Sequence, residues 1–204
     1  VYSPTGTVKK SMQIKIYSEN LLLNYSLSLA VVLLMWLSAN SFFYLPFTPV
    51  PFTMQVFTVL FASFSIGPVW SFMSQMQYIL LGIAGVPVFS GFKSGLAAML
   101  GPSGGYIIGF AVSSLVSGMI FSFFCNSHKA CGNIFRDISR NYPGVSLAVF
   151  LTAFTSLLII YSFGYIHLLG MMCMTAGSSR NICILLLNSF KLGVFPFILF
   201  DLLK

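Results

Sequence analysis

Residues 82–110 read GIAGVPVFSGFKSGLAAMLGPSGGYIIGF, a glycine- and proline-rich hinge held between two strongly apolar segments. The stretch is too irregular to be helix and too apolar to be an ordinary solvated loop. Only 6% of the chain is charged, and near a membrane such backbone is tolerated only where protein covers it or it lines a cavity. The stretch is therefore the first candidate for a binding site.

Outward from it, the apolar segments set the class. Hydrophobic residues make up 57% of the 204, and Phe alone contributes 22, well above the share found in soluble domains. Long continuous apolar runs, with no short alternating segments, point to an all-α integral membrane protein. The net charge of +7 does not indicate nucleic acid, because the basic residues sit between apolar spans and form no patch interleaved with stacking aromatics. Cys125, Cys131, Cys173 and Cys183 show no metal-binding or redox spacing and read as small apolar residues at span ends. No metal and no cofactor are expected. No cleavable signal peptide is expected either, since the first apolar run lacks a small-residue cleavage site and is long enough to span.

In chain order, residues 1–20 form a basic flank with Lys9, Lys10 and Lys15, and residues 21–204 a single membrane domain. Spans are expected at 21–44, 52–66, 69–84, 103–124 and 145–163, each bounded by turn or loop signals. Pro46, Pro49 and Pro51 forbid helix between the first two and predict an ordered, extended loop, with Thr48 or Thr53 capping the next helix. Gln75 and Gln77 fall inside the third span and are expected to bridge to neighbouring helices. Gly105 and Gly109 are four apart on one face of the fourth, a pattern that lets another helix approach closely. His167 reads as an interfacial residue rather than a catalytic base, with no second titratable group near it in sequence.

Counting basic residues orients the chain. With the N-terminus inside, the cytoplasmic side collects Lys9, Lys10, Lys15, Lys129, Arg136 and Arg140, leaving Lys93, Arg180 and Lys191 outside. The opening stretch and the proline loop then share the extracytoplasmic face. In the last segment, 182–204, Lys191, Gly193 and Pro196 interrupt the apolar run and Asp201 lies deep within it. An ionisable residue inside a span costs a few kcal/mol and reads as functional by default. Lys204 follows one helical turn later, where an acid and a base share a face.

Several separated strings, in order, carry a family resemblance: PVPFTMQ at 49–55, YILLG at 78–82 running into GVPVF at 85–89, and GPSGGY at 101–106 with Gly109 and Phe110. Tyr161 with Phe163 and Gly164 follows, then GVFPF at 193–197 leading to Asp201 and Lys204. Together they resemble the BioY family, the biotin-binding S components of energy-coupling-factor transporters. GPxGGY and PFxxxDxxK are the specific elements.

The resemblance implies a six-transmembrane-helix S-component bundle with a Gly/Pro-rich outer loop between helices three and four, in the bacterial plasma membrane. It implies high-affinity capture of biotin from outside, and partnership with a transmembrane coupling protein and two ATPase subunits within the lipid bilayer. The family site maps onto Asp201, Lys204, Tyr106, Phe89 and Ser90. The chemistry of biotin extends this set. Asp201 and the amides around Gly104 and Gly105 suit the ureido group, Lys204 or Lys93 the valerate carboxylate, and Phe89, Tyr106 or Tyr161 the bicyclic body. Family members continue the last helix past the lysine, so the span from about Phe195 is expected to be incomplete here, covering about 15 Å, with 182–192 as a surface helix.

Two alternatives stand beside this one. A membrane enzyme would need paired carboxylates, an HExxH motif or a Ser/His/Asp grouping, and the spans contain none of them. A solitary carrier of biotin or another small vitamin is compatible with the absence of a phosphate-binding GxxxxGK[ST] loop, which shows only that this chain supplies no ATPase of its own.

Overall fold

The computed structural model describes the backbone of residues 5–44, 46, 48–127, 143–176 and 182–203, and the side chains of 21–44, 46, 48–124, 147–174, 184–198 and 201. Eight helices and one two-stranded ribbon are found among them. They are α1 (Thr5–Asn40), β1 (Phe42–Phe43), β2 (Phe52–Thr53), α2 (Gln55–Ser65), α3 (Gly67–Ile83), α4 (Gly95–Met99), α5 (Gly104–Ser127), α6 (Pro143–Ala176), α7 (Ile182–Gly193) and α8 (Phe195–Leu203). Three stretches are long and apolar enough to cross a membrane: Leu21–Asn40, Gly104–Phe124 and Leu147–Met174. The basic flank expected at 1–20 continues the first of these, because α1 runs unbroken from Thr5. The expected loop containing His128, Lys129, Arg136 and Arg140 lies outside the described residues.

Helix α5 is the centre. Half of its apolar window is buried, against 22% for α1 and 28% for α6, and it packs on α2, α3 and α6. Small residues make that possible. A Cβ on Gly105 would stand 2.3 Å from the His167 Cβ, and one on Gly109 would stand 3.1 Å from the Ile160 Cα, so the expected close-packing face meets α6. On another side a Cβ on Gly118 would stand 2.6 Å from the Pro68 Cα, at the start of α3.

Hydroxyls fasten the same helices. Ser63 of α2 and Ser71 of α3 both donate to the Ser114 carbonyl, each at 3.2 Å. The Ser113 and Ser156 hydroxyls meet at 2.5 Å, joining α5 to α6. Between helices in a bilayer, lipid supplies no hydrophobic drive for association, so close packing and such bonds hold them together. Of the two glutamines expected to bridge helices, Gln77 does so, accepting from Ser28 of α1 at 3.1 Å. Gln75 is buried with neither amide atom partnered among the described residues.

The proline loop is closed at its base by antiparallel pairing of Phe42 with Thr53 and of Phe43 with Phe52. Strand pairing therefore occupies Phe52 and Thr53, and α2 starts at Gln55 rather than at the expected Phe52. Neither threonine acts as the expected N-cap, a position taken by Met54 with no side-chain bond. The Thr53 hydroxyl accepts from the Gln55 amide at 3.4 Å, and Thr48 turns to a different element, described below.

The stretch 82–110 is less irregular than its composition predicts, for it contains α4 and the first turns of α5. Its irregular part is pinned from below. Trp36 Nε1 donates to the Pro87 carbonyl at 3.2 Å, Asn40 Oδ1 accepts from the Phe92 amide at 3.0 Å, and the Tyr78 hydroxyl donates to the Val88 carbonyl at 3.0 Å. Helix α6 also outruns the expected 145–163 span. Gly164 does not end it, because that glycine serves a close approach: a Cβ there would stand 2.2 Å from the Tyr106 ring. The final segment divides into α7 and α8 at Val194, as the Gly193 and Pro196 interruptions predict.

Gly118→Ala is expected to destabilise the bundle by about 1–3 kcal/mol, since backbone rather than a flexible side chain blocks the added methyl. Gly170→Ala, where nothing lies within 4 Å, is expected to leave stability unchanged or raise it by about 0.5–1 kcal/mol through helix propensity. Thermal unfolding of the detergent-solubilised pair checks both signs.

Candidate functional site

The proline loop, α2, the stretch after α3, and helices α5, α6 and α8 converge on one narrow cavity, which offers about 50 Å³ to the centres of water-sized spheres. Its apolar walls come from Val50, Phe52, Ile107, Phe110, Ile160 and Phe197, and its polar groups from Thr53, Gln55, Ser90, Ser103, Tyr161 and Asp201. Each helix contributes by its period. Tyr106, Ile107 and Phe110 follow one another around one side of α5, Ile160 and Tyr161 are adjacent on α6, and Phe197 and Asp201 are four apart on α8.

Aromatic rings shape the walls. Phe52 stacks on Phe197 with centroids 6.3 Å apart and planes 8° from parallel, and Tyr106 lies against Phe197 at 6.5 Å. The Tyr106 hydroxyl is directed away from the walls' apolar surface, donating to the Gly193 carbonyl at 2.7 Å. On the polar side Gln55 Nε2 donates to the Tyr78 hydroxyl at 3.0 Å, so Gln55 is held by α3.

Asp201 is 7% exposed, and the Tyr161 hydroxyl donates to its Oδ2 at 2.5 Å. Such short bonds to a carboxylate are the strong kind, and they fix the direction in which the remaining lone pairs point. A carboxylate has about four acceptor sites, so the tyrosine does not exhaust it. The cavity thus combines a flat aromatic and aliphatic slot with an acceptor at one end. That suits a planar, largely apolar ligand with N–H donors at its buried end.

A second, wider cavity adjoins the first and shares Pro51, Ser90 and Ser103 with it. It offers about 360 Å³ on the same measure and is lined by Tyr44, Phe89, Lys93, Ala98 and Pro102 among others. Ser90 stands at the neck between the two, its Oγ buried and unpartnered among the described residues. The narrow cavity is lined by the acid Asp201 and the wide one by the basic Lys93, so the two chambers differ in the polar groups they offer. Among the described residues no three of His, Cys, Asp and Glu come together as a metal would require.

The structure thus brings Tyr106, Tyr161, Asp201 and Ser90 to the narrow cavity, and Phe89, Ser90 and Lys93 to the wide one. Phe89 is largely spent on packing: it is 2% exposed, lies edge-on to Tyr78 at 5.6 Å, and presses on Gly82, where an added Cβ would meet its ring at 2.1 Å. Gly104 and Gly105 line neither cavity, against expectation. The missing side chain of Gly104 makes room for the Met99 carbonyl, that of Gly105 for His167, and the Gly104 amide donates to the Gly101 carbonyl at 3.0 Å. Their glycine character serves helix packing, and the His167 ring completes it with a 3.0 Å bond between Nε2 and the Gly101 carbonyl. Lys204 lies outside the described residues. Sequence reasoning missed Thr53, Gln55, Ser103 and Phe197 as lining groups, although each falls inside a motif that carried the resemblance.

Comparison with known proteins agrees with this architecture. The model of the BioY family matches residues 11–204. A probable biotin transporter BioY of Pyrococcus horikoshii is 35% identical over 156 residues, covering 76% of this chain and 74% of that protein. The biotin transporter BioY of Thermotoga maritima is 41% identical over 76 residues, 37% of this chain and 45% of that one. In structure, the biotin S-component of an ECF-type ABC transporter superposes with a TM-score of 0.61 over 98% of this chain and 87% of that chain, at 22% identity, a likeness of fold. With a family model matched along nearly its whole length and a relative aligned over three quarters of each chain, this protein belongs to the BioY family.

Proposed function

We infer that this chain is the biotin-binding subunit of an uptake transporter, working with an ATP-driven energy-coupling module. The observation that carries the reading is the Asp201–Tyr161 pair at the end of an otherwise apolar slot, in a chain of the BioY family. Its relatives are named as transporters, which removes the membrane-enzyme alternative. In this reading the membrane domain has six spans, formed by α1, α2, α3, α5, α6 and the α7–α8 segment. The proline loop and residues 84–94 lie on the extracytoplasmic side of a bacterial plasma membrane. The energy-coupling module comprises a transmembrane coupling protein and two ATPase subunits.

The ligand is placed by chemistry. The ureido ring of biotin carries two N–H donors, for which Asp201 is the acceptor, and Ser90 and Gln55 are in position to serve its carbonyl. The bicyclic body fits between Phe52, Tyr106 and Phe197. The valerate chain passes the neck at Ser90 into the wide chamber, where Lys93 supplies a cation, with Lys204 the other candidate from sequence. Desolvated hydrogen bonds to charged groups contribute about 1.5–3 kcal/mol each, so two or three of them with ring burial support tight capture.

Isothermal titration of biotin into the purified protein tests the placement. Asp201→Asn is expected to weaken binding about tenfold or more, because one lost charged hydrogen bond is worth that much; an unchanged affinity overturns the site. Lys93→Ala is expected to weaken biotin by about tenfold while leaving the uncharged methyl ester of biotin unaffected. Equal losses for acid and ester would remove Lys93 from the carboxylate.

A further inference from the structure

The helix that carries Asp201 begins at a break, and the break leaves two backbone carbonyls without their helical donors. In a continuous helix the Leu192 carbonyl would accept from residue 196, but that residue is proline and has no N–H. The Gly193 carbonyl would accept from Phe197, whose amide instead bonds the Val194 carbonyl at 3.1 Å. Buried carbonyls left in this way must find another donor or cost the full desolvation of the group.

Each finds one hydroxyl from a distant part of the chain. Thr48, in the proline loop, donates to the Leu192 carbonyl at 2.6 Å. Tyr106, on α5, donates to the Gly193 carbonyl at 2.7 Å. Both side chains are buried, at 7% exposure. The fit is close on the Tyr106 side, since a Cβ on Gly193 would stand 2.6 Å from the tyrosine hydroxyl. Thr48 is itself held, its oxygen accepting from the Val50 amide at 3.2 Å, and Val50 and Pro51 line the narrow cavity.

We propose that Thr48 and the Tyr106 hydroxyl are positioning residues that clamp the α7–α8 break and thereby set where Asp201 stands in the site. Asp201 lies two helical turns past Gly193, on the helix that starts at the break. A change of a few degrees at the break therefore moves the carboxylate relative to Tyr161. Thr48 does not itself line the narrow cavity and acts through the break and through the Val50 amide it holds. The Thr48 bond also ties the proline loop to the acid-bearing helix, so the loop cannot leave the cavity without uncovering the Leu192 carbonyl.

The affinity half of the test rests on the biotin reading, and the exchange half does not. Amide hydrogen exchange, read by mass spectrometry on the full-length protein in detergent, is expected to quicken about threefold to tenfold across 194–203 in Thr48→Val and in Tyr106→Phe, the weight of one hydrogen bond. Thr48→Ser, which keeps the hydroxyl, is expected to exchange as the parent does. Biotin affinity is expected to fall by a similar factor in the first two variants, and to fall no further when either is combined with Asp201→Asn. Unchanged exchange in 194–203, or losses of affinity that add to that of Asp201→Asn, overturns the clamp. Should Thr48→Val fail to purify, Tyr106→Phe, which keeps the ring in place, decides alone. Altered exchange alongside a biotin affinity indifferent to Asp201→Asn upholds the clamp and discards the biotin placement instead.

Discussion

A backbone carbonyl inside a bilayer has no water to turn to, and this constraint governs the architecture more than any single contact. Continuous helix satisfies it within α1, α5 and α6. Where the chain must bend to bring an acid into the middle of the bundle, it leaves helix at Val194 and satisfies the exposed carbonyls with hydroxyls from Thr48 and Tyr106. The irregular stretch after α3 obeys the same rule, its Pro87 and Val88 carbonyls taken by Trp36 and Tyr78. Among the described residues, the irregular backbone around the cavities is thus tied to helices.

The second organising fact is how closely α5 is approached. Glycines at 105, 109 and 118 admit backbone or Cβ atoms of neighbouring helices, and serines at 113, 114 and 117 bond across the resulting gaps. Tight packing around α5 fixes the relative heights of α2, α3 and α6. That in turn sets the width of the slot between Tyr106 and Phe197. A slot of this kind can recognise a flat ring system without rearranging its walls, leaving the polar groups at its ends to discriminate.

Much of this was legible in residue order. Apolar runs located the apolar helices, prolines located the loop, and the interruptions at Gly193 and Pro196 located the break, because each is a local property of the backbone. The acid of the last segment also announced itself, since an ionisable residue inside a span is expensive. Glycine was the poorest guide. The amides around Gly104 and Gly105 read as ligand-facing, and Gly105 also as part of a packing face; in the structure both glycines make room for a neighbouring atom. A missing side chain does not record what fills its place.

By itself, then, the sequence determined a helical membrane protein of the BioY family, the position of its breaks, and the candidacy of Asp201, Tyr106 and Ser90. Only the tertiary structure decided that stretch 82–110 contains α4 and the start of α5, that Tyr161 donates to Asp201, and that Thr48 belongs with Leu192 rather than with its own helix start. The physical reason is range. Propensity, hydropathy and proline chemistry act within a turn or two of helix, whereas the Tyr161–Asp201 and Thr48–Leu192 bonds join residues 40 and 144 positions apart. Such pairings exist only once the helices have packed.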